Sequence, residues 1–482
     1  MNRRIFLKNG ASMAGWGMLA PHFMVNKTTG MYHIEQFTDE GLSQFTYAVL
    51  FDKKIVLIDP WRDPQPFYDL ADRNNAAIVA VIETHPHADF VSSHAEIYRK
   101  LKTRIYASKK LQAKYPHHPV KDGDVIALNN HLLLKILDTP GHSPDSISIV
   151  LRENNIDKAV FTGDALLFGD VGRPDLREYG NNENEQRISL AKAMYETLQT
   201  KYLPLNDKVI VYPAHGAGSL CGNAIRNVKS STIGEEKKNN HAFHHANESD
   251  FVASILKDLP FIPKYFPYDV ELNRSGAGDV QPGIRKVQLR QENFQPPERS
   301  LVVDIRPKSD IQEAYYPGAI YVPEGTKFET WLGTVIAPDK KFYLAVQDKD
   351  AFHTAVKKLA KIGYESNIEG GFVYTVKKPY PVFLNGKSFS LNDKDDYTII
   401  DVRNKKEYDE DPIIVSSVNI PLPELEKRLA EVPKNKPIVV HCASGYRSSI
   451  ATSIIRKEYP QLSILDLGED VTRIKNKKST DH

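Results

Sequence analysis

A chain of 482 residues is too long for a single core, so about two to four structural units are expected. Hydrophobic content of 41% and charged content of 26% belong to an ordinary globular protein, and 63 basic against 61 acidic residues leave a formal charge of only +2. That balance gives no sign of a nucleic-acid binder or of a protein held by charge to a membrane, and 2 cysteines, Cys221 and Cys442, exclude a disulfide scaffold.

The amino terminus is read as a targeting segment. Arg3-Arg4-Ile5-Phe6-Leu7-Lys8 precedes a mildly apolar run from Ala11 to Met24. This resembles a twin-arginine export signal, which implies a periplasmic protein; a start at Met31 gives a cytoplasmic one. The run is too short and too weakly apolar for a membrane span. Residues 1–30 are therefore set apart from the fold.

From Tyr32 onward short strands alternate with turns. Phe45 to Phe51 and Lys54 to Asp59 are predicted strands, Pro66 to Asn74 a helix, and Ala77 to Ile82 a buried strand. That last strand runs into Thr84-His85-Pro86-His87-Ala88-Asp89-Phe90. Imidazoles and a carboxylate at alternating positions on a loop leaving a strand can converge on one metal ion. The same grammar recurs three times. Leu132 to Leu137 ends in Pro140-Gly141-His142-Ser143, Lys158 to Phe161 in Thr162-Gly163-Asp164, and Val209 to Tyr212 in Pro213-Ala214-His215-Gly216. Strand ends hold side chains rigidly while leaving their tips accessible.

These four motifs, in this order, resemble the metallo-β-lactamase fold over residues 31–262, which implies an αββα sandwich with metal at one edge. The family's first motif ends Asp-His, and that histidine serves a second metal; here the pair is Asp89-Phe90. A phenyl ring cannot ligate. The resemblance then narrows to the persulfide dioxygenases, which hold one iron on two histidines and one aspartate. Mapped onto this chain, those ligands are His85, His142 and Asp164, with Fe(II), one per chain, as cofactor and zinc as the alternative. His87, Asp89 and His215 then orient ligands or face substrate, or are simply polar neighbours of the site. Gly172-Arg173-Pro174-Asp175 is similar to a Gly-Arg-x-Asp segment of the same enzymes. Arg173 either binds a substrate carboxylate or forms an internal ion pair with Asp175 or Glu178. Cys221, among glycines beyond His215, is either a reactive thiolate or an inert small hydrophobe. His241, His244 and His245 read as a solvated face.

Pro260, Pro263, Pro267, Gly276, Gly278 and Pro282 mark a linker over 263–284. Two βα-alternating units follow, at 285–380 and 381–482, and each is expected to form a parallel α/β sheet. Val303-Asp304-Ile305-Arg306 in the first is matched by Ile400-Asp401-Val402-Arg403 in the second. In the second, the strand Pro437 to His441 leads into Cys442-Ala443-Ser444-Gly445-Tyr446-Arg447-Ser448 and a helix. Backbone N–H groups, the helix dipole and Arg447 in such a loop stabilise an anion and favour the thiolate. Four residues separate Cys442 from Arg447, one fewer than in the cysteine phosphatases, and the loop resembles that of the rhodanese sulfurtransferases. Ala443, Ser444, Gly445, Tyr446 and Ser448 would then line a Cys442 persulfide. The unit at 285–380 resembles a rhodanese domain with Gln347-Asp348-Lys349-Asp350 where the cysteine loop belongs. It is expected to be catalytically dead.

The expected architecture is thus multidomain α/β, an αββα metallo-β-lactamase sandwich followed by two rhodanese-like domains with parallel sheets. The expected activity is Fe(II)-dependent oxidation of a low-molecular-weight thiol persulfide by O₂ to sulfite, with sulfur transfer through Cys442 to give thiosulfate, as in sulfide detoxification. Neither nucleic acid nor a membrane span is expected, and self-association is compatible with the sequence. The alternatives are a zinc thioester hydrolase of the glyoxalase II type with an attached sulfurtransferase, and a non-catalytic sulfur carrier.

Overall fold

A computed structural model of the protein describes residues 31–177, 182–291, 294–375, 389 and 391–480. The twin-arginine-like segment lies outside the described residues. Among the described residues, no helix is long and apolar enough to cross a membrane.

Two six-stranded sheets form the first half. One orders its strands as in the sequence, from His33–Asp39 through Gln44–Phe51, Lys54–Ile58, Ala77–Ile82 and Arg104–Ser108 to His118–Val120. Its first three strands are antiparallel and the rest parallel. The other sheet runs from Val125–Ala127 through Leu132–Asp138, Ile147–Glu153, Ile156–Gly163 and Ile210–Pro213 to Ser231–Thr232. Alternation along the strands explains the packing. Leu132, Leu134 and Ile136 point to one face and meet Ile147, Ile149, Val49, Val56 and Ile82 in a core between the sheets. The opposite faces are covered by helices. Gln65–Arg73 supplies Phe67 and Leu70 to the first sheet, and Glu183–Thr197 supplies Met194 to the second. This is the αββα sandwich.

The two later units each hold a four-stranded parallel sheet. One orders Ile320–Tyr321, Val302–Asp304, Phe342–Val346 and Ile368–Val373; the other orders Val418–Asn419, Thr398–Asp401, Ile438–His441 and Ile464–Asp466. The internal repeat extends to side chains. Arg306 forks the Asp304 carboxylate at 2.9 and 2.7 Å, and Arg403 forks Asp401 at its corresponding position.

The expected linker at 263–284 is instead built from two helices, Phe266–Ser275 and Val280–Lys286. They pack between the sandwich and the thiol-less unit. That unit also contacts the sandwich directly. The Val91 amide donates to the Lys361 carbonyl at 2.8 Å, buried Arg62 pairs with Glu365 at 2.7 Å, and Lys361 pairs with Asp39 at 2.6 Å. One apolar cluster runs from Ala88 and Phe90 through Phe328, Leu332 and Tyr364 to Cys442 and Ile450.

Candidate functional site

Strand pairing explains why distant residues converge. Asp59 and Glu83 both leave strands of the first sheet at one edge, where the Asp59 amide bonds the Ile82 carbonyl. In the second sheet Gly163 pairs in parallel with Pro213, so Asp164 and His215 emerge side by side. The Ile147 amide donates to the Thr84 carbonyl at 2.9 Å, joining the two sheets at this edge.

His85, His142 and Asp164 meet there, all at least 97% buried. Asp164 Oδ2 lies 3.6 Å from His85 Nε2 and 3.6 Å from His142 Nε2. Neither Asp164 Oδ2 nor His85 Nε2 has a hydrogen-bond partner. Ligand atoms bound to one ion at about 2.1 Å are separated by roughly 3.0–3.4 Å, and each histidine approaches that spacing to the unpartnered Asp164 Oδ2. Asp164 is common to two groupings whose donor atoms all lie within 4.8 Å, His85–His87–Asp164 and His142–Asp164–Cys221.

The other side of each ligand is fixed. The Thr84 hydroxyl gives its proton to Asp59 Oδ2 at 2.8 Å, so its oxygen accepts from His85 Nδ1 at 2.9 Å. His142 Nδ1 donates to the Arg173 carbonyl at 2.9 Å. Both rings thereby present Nε2 as a lone pair. Burial works against ionising Asp164, yet His215, then His142 and His85, hold its carboxyl far below the usual range. Burial and the neighbouring His87 lower His85; burial outweighs the pull of Asp164 and lowers His142. Both imidazoles are thus held neutral, the form that binds metal.

The remaining sequence candidates divide. His87 turns to Asp59, with Nε2 3.2 Å from Oδ1; against burial, Asp59 raises its pKa. His215 donates from Nδ1 to Asp164 Oδ1 at 2.7 Å, and its Nε2 lies 2.8 Å from Asp89 Oδ2. Burial opposes protonation of His215, but these two carboxylates carry its pKa well above the ordinary value. Phe90 is fully buried and stacks on His87 at 4.2 Å. Cys221 is 1% exposed and groups with Asp89 and His215; burial, then Asp89 and Asp164, push its thiol well up. In this state it is an un-ionised thiol beside the metal ligands. The substrate-binding role for Arg173 is corrected. Its guanidinium is buried, forks Asp175, and donates to the carbonyls of Pro260 and Phe261. Its usefulness to the site is the backbone carbonyl that holds His142. His241 and His244 lie exposed, as a solvated face requires, although His241 Nε2 also pairs with buried Asp170 at 3.0 Å, and His245 is half-buried against Phe251.

Two functional side chains escaped the sequence. Asp59 follows a strand just as Asp164 does, so the strand-then-aspartate grammar could have found it. Asn273, on the helix read as linker, donates to the carbonyls of His87 and Phe90 at 2.8 and 2.7 Å, and its Oδ1 accepts from the Ser92 amide at 2.7 Å. It clamps the metal loop from behind, and no sequence signal marks it.

The second site lies where the strand Ile438–His441 ends. Cys442 is 1% exposed, and the Gly445 amide points to its Sγ at 3.1 Å. Gly445 has φ +99°, and a Cβ there would come within 2.7 Å of the Gly468 backbone, so only glycine closes this loop. The helix Tyr446–Glu458 starts at once, aiming its N-terminus at the sulfur. Ser448 and Ser449 anchor the turn to Asp466. Ala443 and Ser444 complete the loop. Arg447 lies beside Cys442, but both its terminal nitrogens hold Glu407, at 2.6 and 2.8 Å. In the thiol-less unit, the strand Phe342–Val346 passes almost directly into a helix N-capped by Asp348. No cradle remains there.

Comparison with known proteins matches a family to each of the two stretches that carry these sites. The family described as Metallo-beta-lactamase superfamily matches residues 39–215, and that described as Rhodanese-like domain matches 390–470. The chain is 25% identical over 210 residues to the hydroxyacylglutathione hydrolase GloC of Haemophilus influenzae, covering 39% of this chain and 87% of that one. It is 29% identical over 178 residues to the persulfide dioxygenase ETHE1 of Homo sapiens, covering 36% of this chain and spanning only 63% of that relative's length. A crystal structure of a metallo-beta-lactamase from Staphylococcus aureus superposes with a TM-score of 0.63 at 30% identity, covering 71% of this chain and 99% of that one.

Proposed function

The chain belongs to the metallo-beta-lactamase superfamily and carries a rhodanese-like domain, and from that premise we propose that it is an Fe(II) persulfide dioxygenase joined to a thiosulfate-forming sulfurtransferase. The observation that carries this reading is one three-atom ligand set, on His85, His142 and Asp164, beside a second-metal position where Phe90 stands. Two histidines and one carboxylate leave positions open for a thiolate and for O₂.

A ferrous ion held by His85, His142 and Asp164 would supply the redox chemistry. The protein's own part is positional. The Asp59–Thr84 relay and the Arg173 carbonyl fix the two imidazoles, and His215 fixes Asp164. Phe90 and Ala88 close one side with apolar surface and keep water out. Overall, R–S–SH, O₂ and H₂O give R–SH, sulfite and two protons, with four electrons passing from sulfur to oxygen. At the other site, the Cys442 thiolate attacks the outer sulfur of a second persulfide and releases R–S⁻. Sulfite then attacks the outer sulfur of the Cys442 persulfide; the S–S bond breaks, the thiolate leaves, and thiosulfate departs. Amides of the tight loop and the helix terminus stabilise the anionic sulfur throughout.

The test is an oxygen electrode. Protein loaded with Fe(II) consumes O₂ when given a low-molecular-weight persulfide and forms thiosulfate; Cys442→Ser still consumes O₂ but accumulates sulfite. No uptake by the loaded wild type would sink the proposal. One observation supports a second reading, thioester hydrolysis at a two-metal site. Asp89, His215 and Cys221 lie close enough to hold a second ion. Two metals per chain with rapid thioester cleavage would favour it.

A further inference from the structure

The thiol-less unit reaches both sites with a single helical turn. The helix Phe328–Val335 is preceded by Lys327 at its N-cap. Lys327 Nζ donates to Ser43 Oγ at 3.0 Å and to the Gly218 carbonyl at 3.2 Å. Both acceptors belong to the rim of the metal site. The Ser43 carbonyl takes the Gly216 amide, and Gly218 lies midway between His215 and Cys221. Among the described residues, no carboxylate oxygen lies within 4.0 Å of Nζ. An ammonium has three donors, so one remains for an anion. Burial lowers the Lys327 pKa, although Glu329, Asp89 and Asp39 oppose it, as expected of a cation short of a direct counter-charge.

Four residues further, one turn and about 6 Å along the axis, is Trp331. Its ring stacks on Phe261 at 5.4 Å, and the Arg447 guanidinium lies over it at 5.9 Å. Just before this turn, the Pro323 carbonyl accepts from Tyr446 Oη, within the persulfide loop, at 2.7 Å. Lys327 therefore touches the metal-site rim and Trp331 the Cys442 loop, on successive turns of one helix.

The geometry points to Lys327 as a binding site for sulfite, a small divalent sulfur oxyanion, placed between the metal-site rim and the Cys442 loop. This rests on the dioxygenase–sulfurtransferase reading. Sulfite formed at the metal site is held by the free Nζ donor and crosses the Trp331 turn. It then attacks the outer sulfur of the Cys442 persulfide. The sulfite lone pair forms the new S–S bond, the old S–S bond breaks, and the cysteine thiolate leaves; no oxidant is needed.

The experiment uses the full chain with Fe(II), a persulfide labelled with ³⁴S at its outer sulfur, and excess unlabelled sulfite in the bath. Sulfite handed over internally gives doubly labelled thiosulfate, and bath sulfite gives the singly labelled form. This ratio is independent of turnover rate. Wild type yields mainly doubly labelled product. Lys327→Met raises the singly labelled fraction about tenfold, the loss expected for one charge-assisted hydrogen bond, and Lys327→Arg restores the wild-type ratio and controls for folding. A second arm needs no turnover: metal-free protein binds radiolabelled sulfite in equilibrium dialysis, about tenfold more weakly after Lys327→Met. Wild-type thiosulfate that follows the bath label overturns the inference while leaving the proposed function standing. An unchanged ratio with a raised KM for persulfide also overturns it, because Lys327 then binds the thiol carrier instead. Absence of O₂ uptake with Lys327-dependent sulfite binding keeps the site and removes the proposed function; absence of both removes both.

Discussion

Asn273→Ala tests whether the metal loop is held from behind. The side chain makes three buried hydrogen bonds to the backbone of His87, Phe90 and Ser92, each 2.7–2.8 Å. Alanine removes all three and leaves two carbonyls and one amide in a dry interface, where water cannot replace the lost partner. At about 1 kcal/mol per bond, the loop's opening free energy falls by about 3 kcal/mol. Since 1.4 kcal/mol is a factor of ten, amides of the loop should exchange with solvent roughly 100-fold faster. The assay is native-state hydrogen exchange on metal-free protein, read at Val91 and Ser93. Val91 is the sharper probe, because its amide bonds the Lys361 carbonyl and does not touch Asn273. Metal affinity should fall in parallel, because His85 is on the loosened segment. Exchange at Val91 within threefold of wild type would show that the loop is held by something else.

Other perturbations separate local causes. Asp269 is fully buried with neither carboxyl oxygen partnered, and burial, then Asp89 and Glu365, raise its pKa well above the ordinary value. A raised native pKa gives stability that is present below about pH 4 and is lost as pH rises toward the native value; Asp269→Asn should therefore stabilise more at pH 8 than at pH 5 in thermal unfolding, and equal shifts would refute this. Burial opposes ionisation of Glu407, but Arg447 pulls its carboxyl below the usual range. That contribution is present above about pH 4.3 and lost as pH falls through the native value, so Glu407→Gln should cost about 0.5–1 kcal/mol at pH 7 and progressively less as pH falls, by the same measurement. Phe90→His should raise bound metal from about one to about two ions per chain, counted by elemental analysis, by adding an imidazole donor to the Asp89, His215 and Cys221 grouping; a count of one means that the His215–Asp89 contact is too strong to open.

The candidate ligands His85, His142 and Asp164 stand out in the sequence because each follows a strand, and strands with alternating or continuous apolar residues are readable from local pattern. Cys442 was legible because its loop is one contiguous segment. The helices at 266–286 were hidden by their own caps. Pro267 sits in the first turn of its helix, where a missing amide costs nothing, and Gly276 closes that helix with φ +81°. The same prolines and glycine that read as a linker are helix signals when they fall at the ends. Arg173 misleads for a different reason. An arginine two residues from an aspartate serves substrate or structure equally well in sequence, and only the carbonyls of Pro260 and Phe261, some 87 residues away, decide the matter.

The thiol-less unit shows what a domain keeps when its loop chemistry is gone. Its Asp304–Arg306 fork, parallel sheet and first helical turn all remain, whereas the loop after Val346 has shrunk to an aspartate N-cap. A free-standing accessory unit would present a polar surface to the sandwich. This one places the Lys361 carbonyl on the metal loop, seats Gly363 against Val91, and buries Glu365 against Arg62. A buried ion pair adds little net stability, yet deleting one partner strands a charge and costs about 3–5 kcal/mol. The sandwich and the thiol-less unit are thus coupled through groups that neither can leave unpaired. The wall behind His87 and Phe90 belongs to both, so the geometry of the candidate metal loop depends on a domain that has no cysteine of its own.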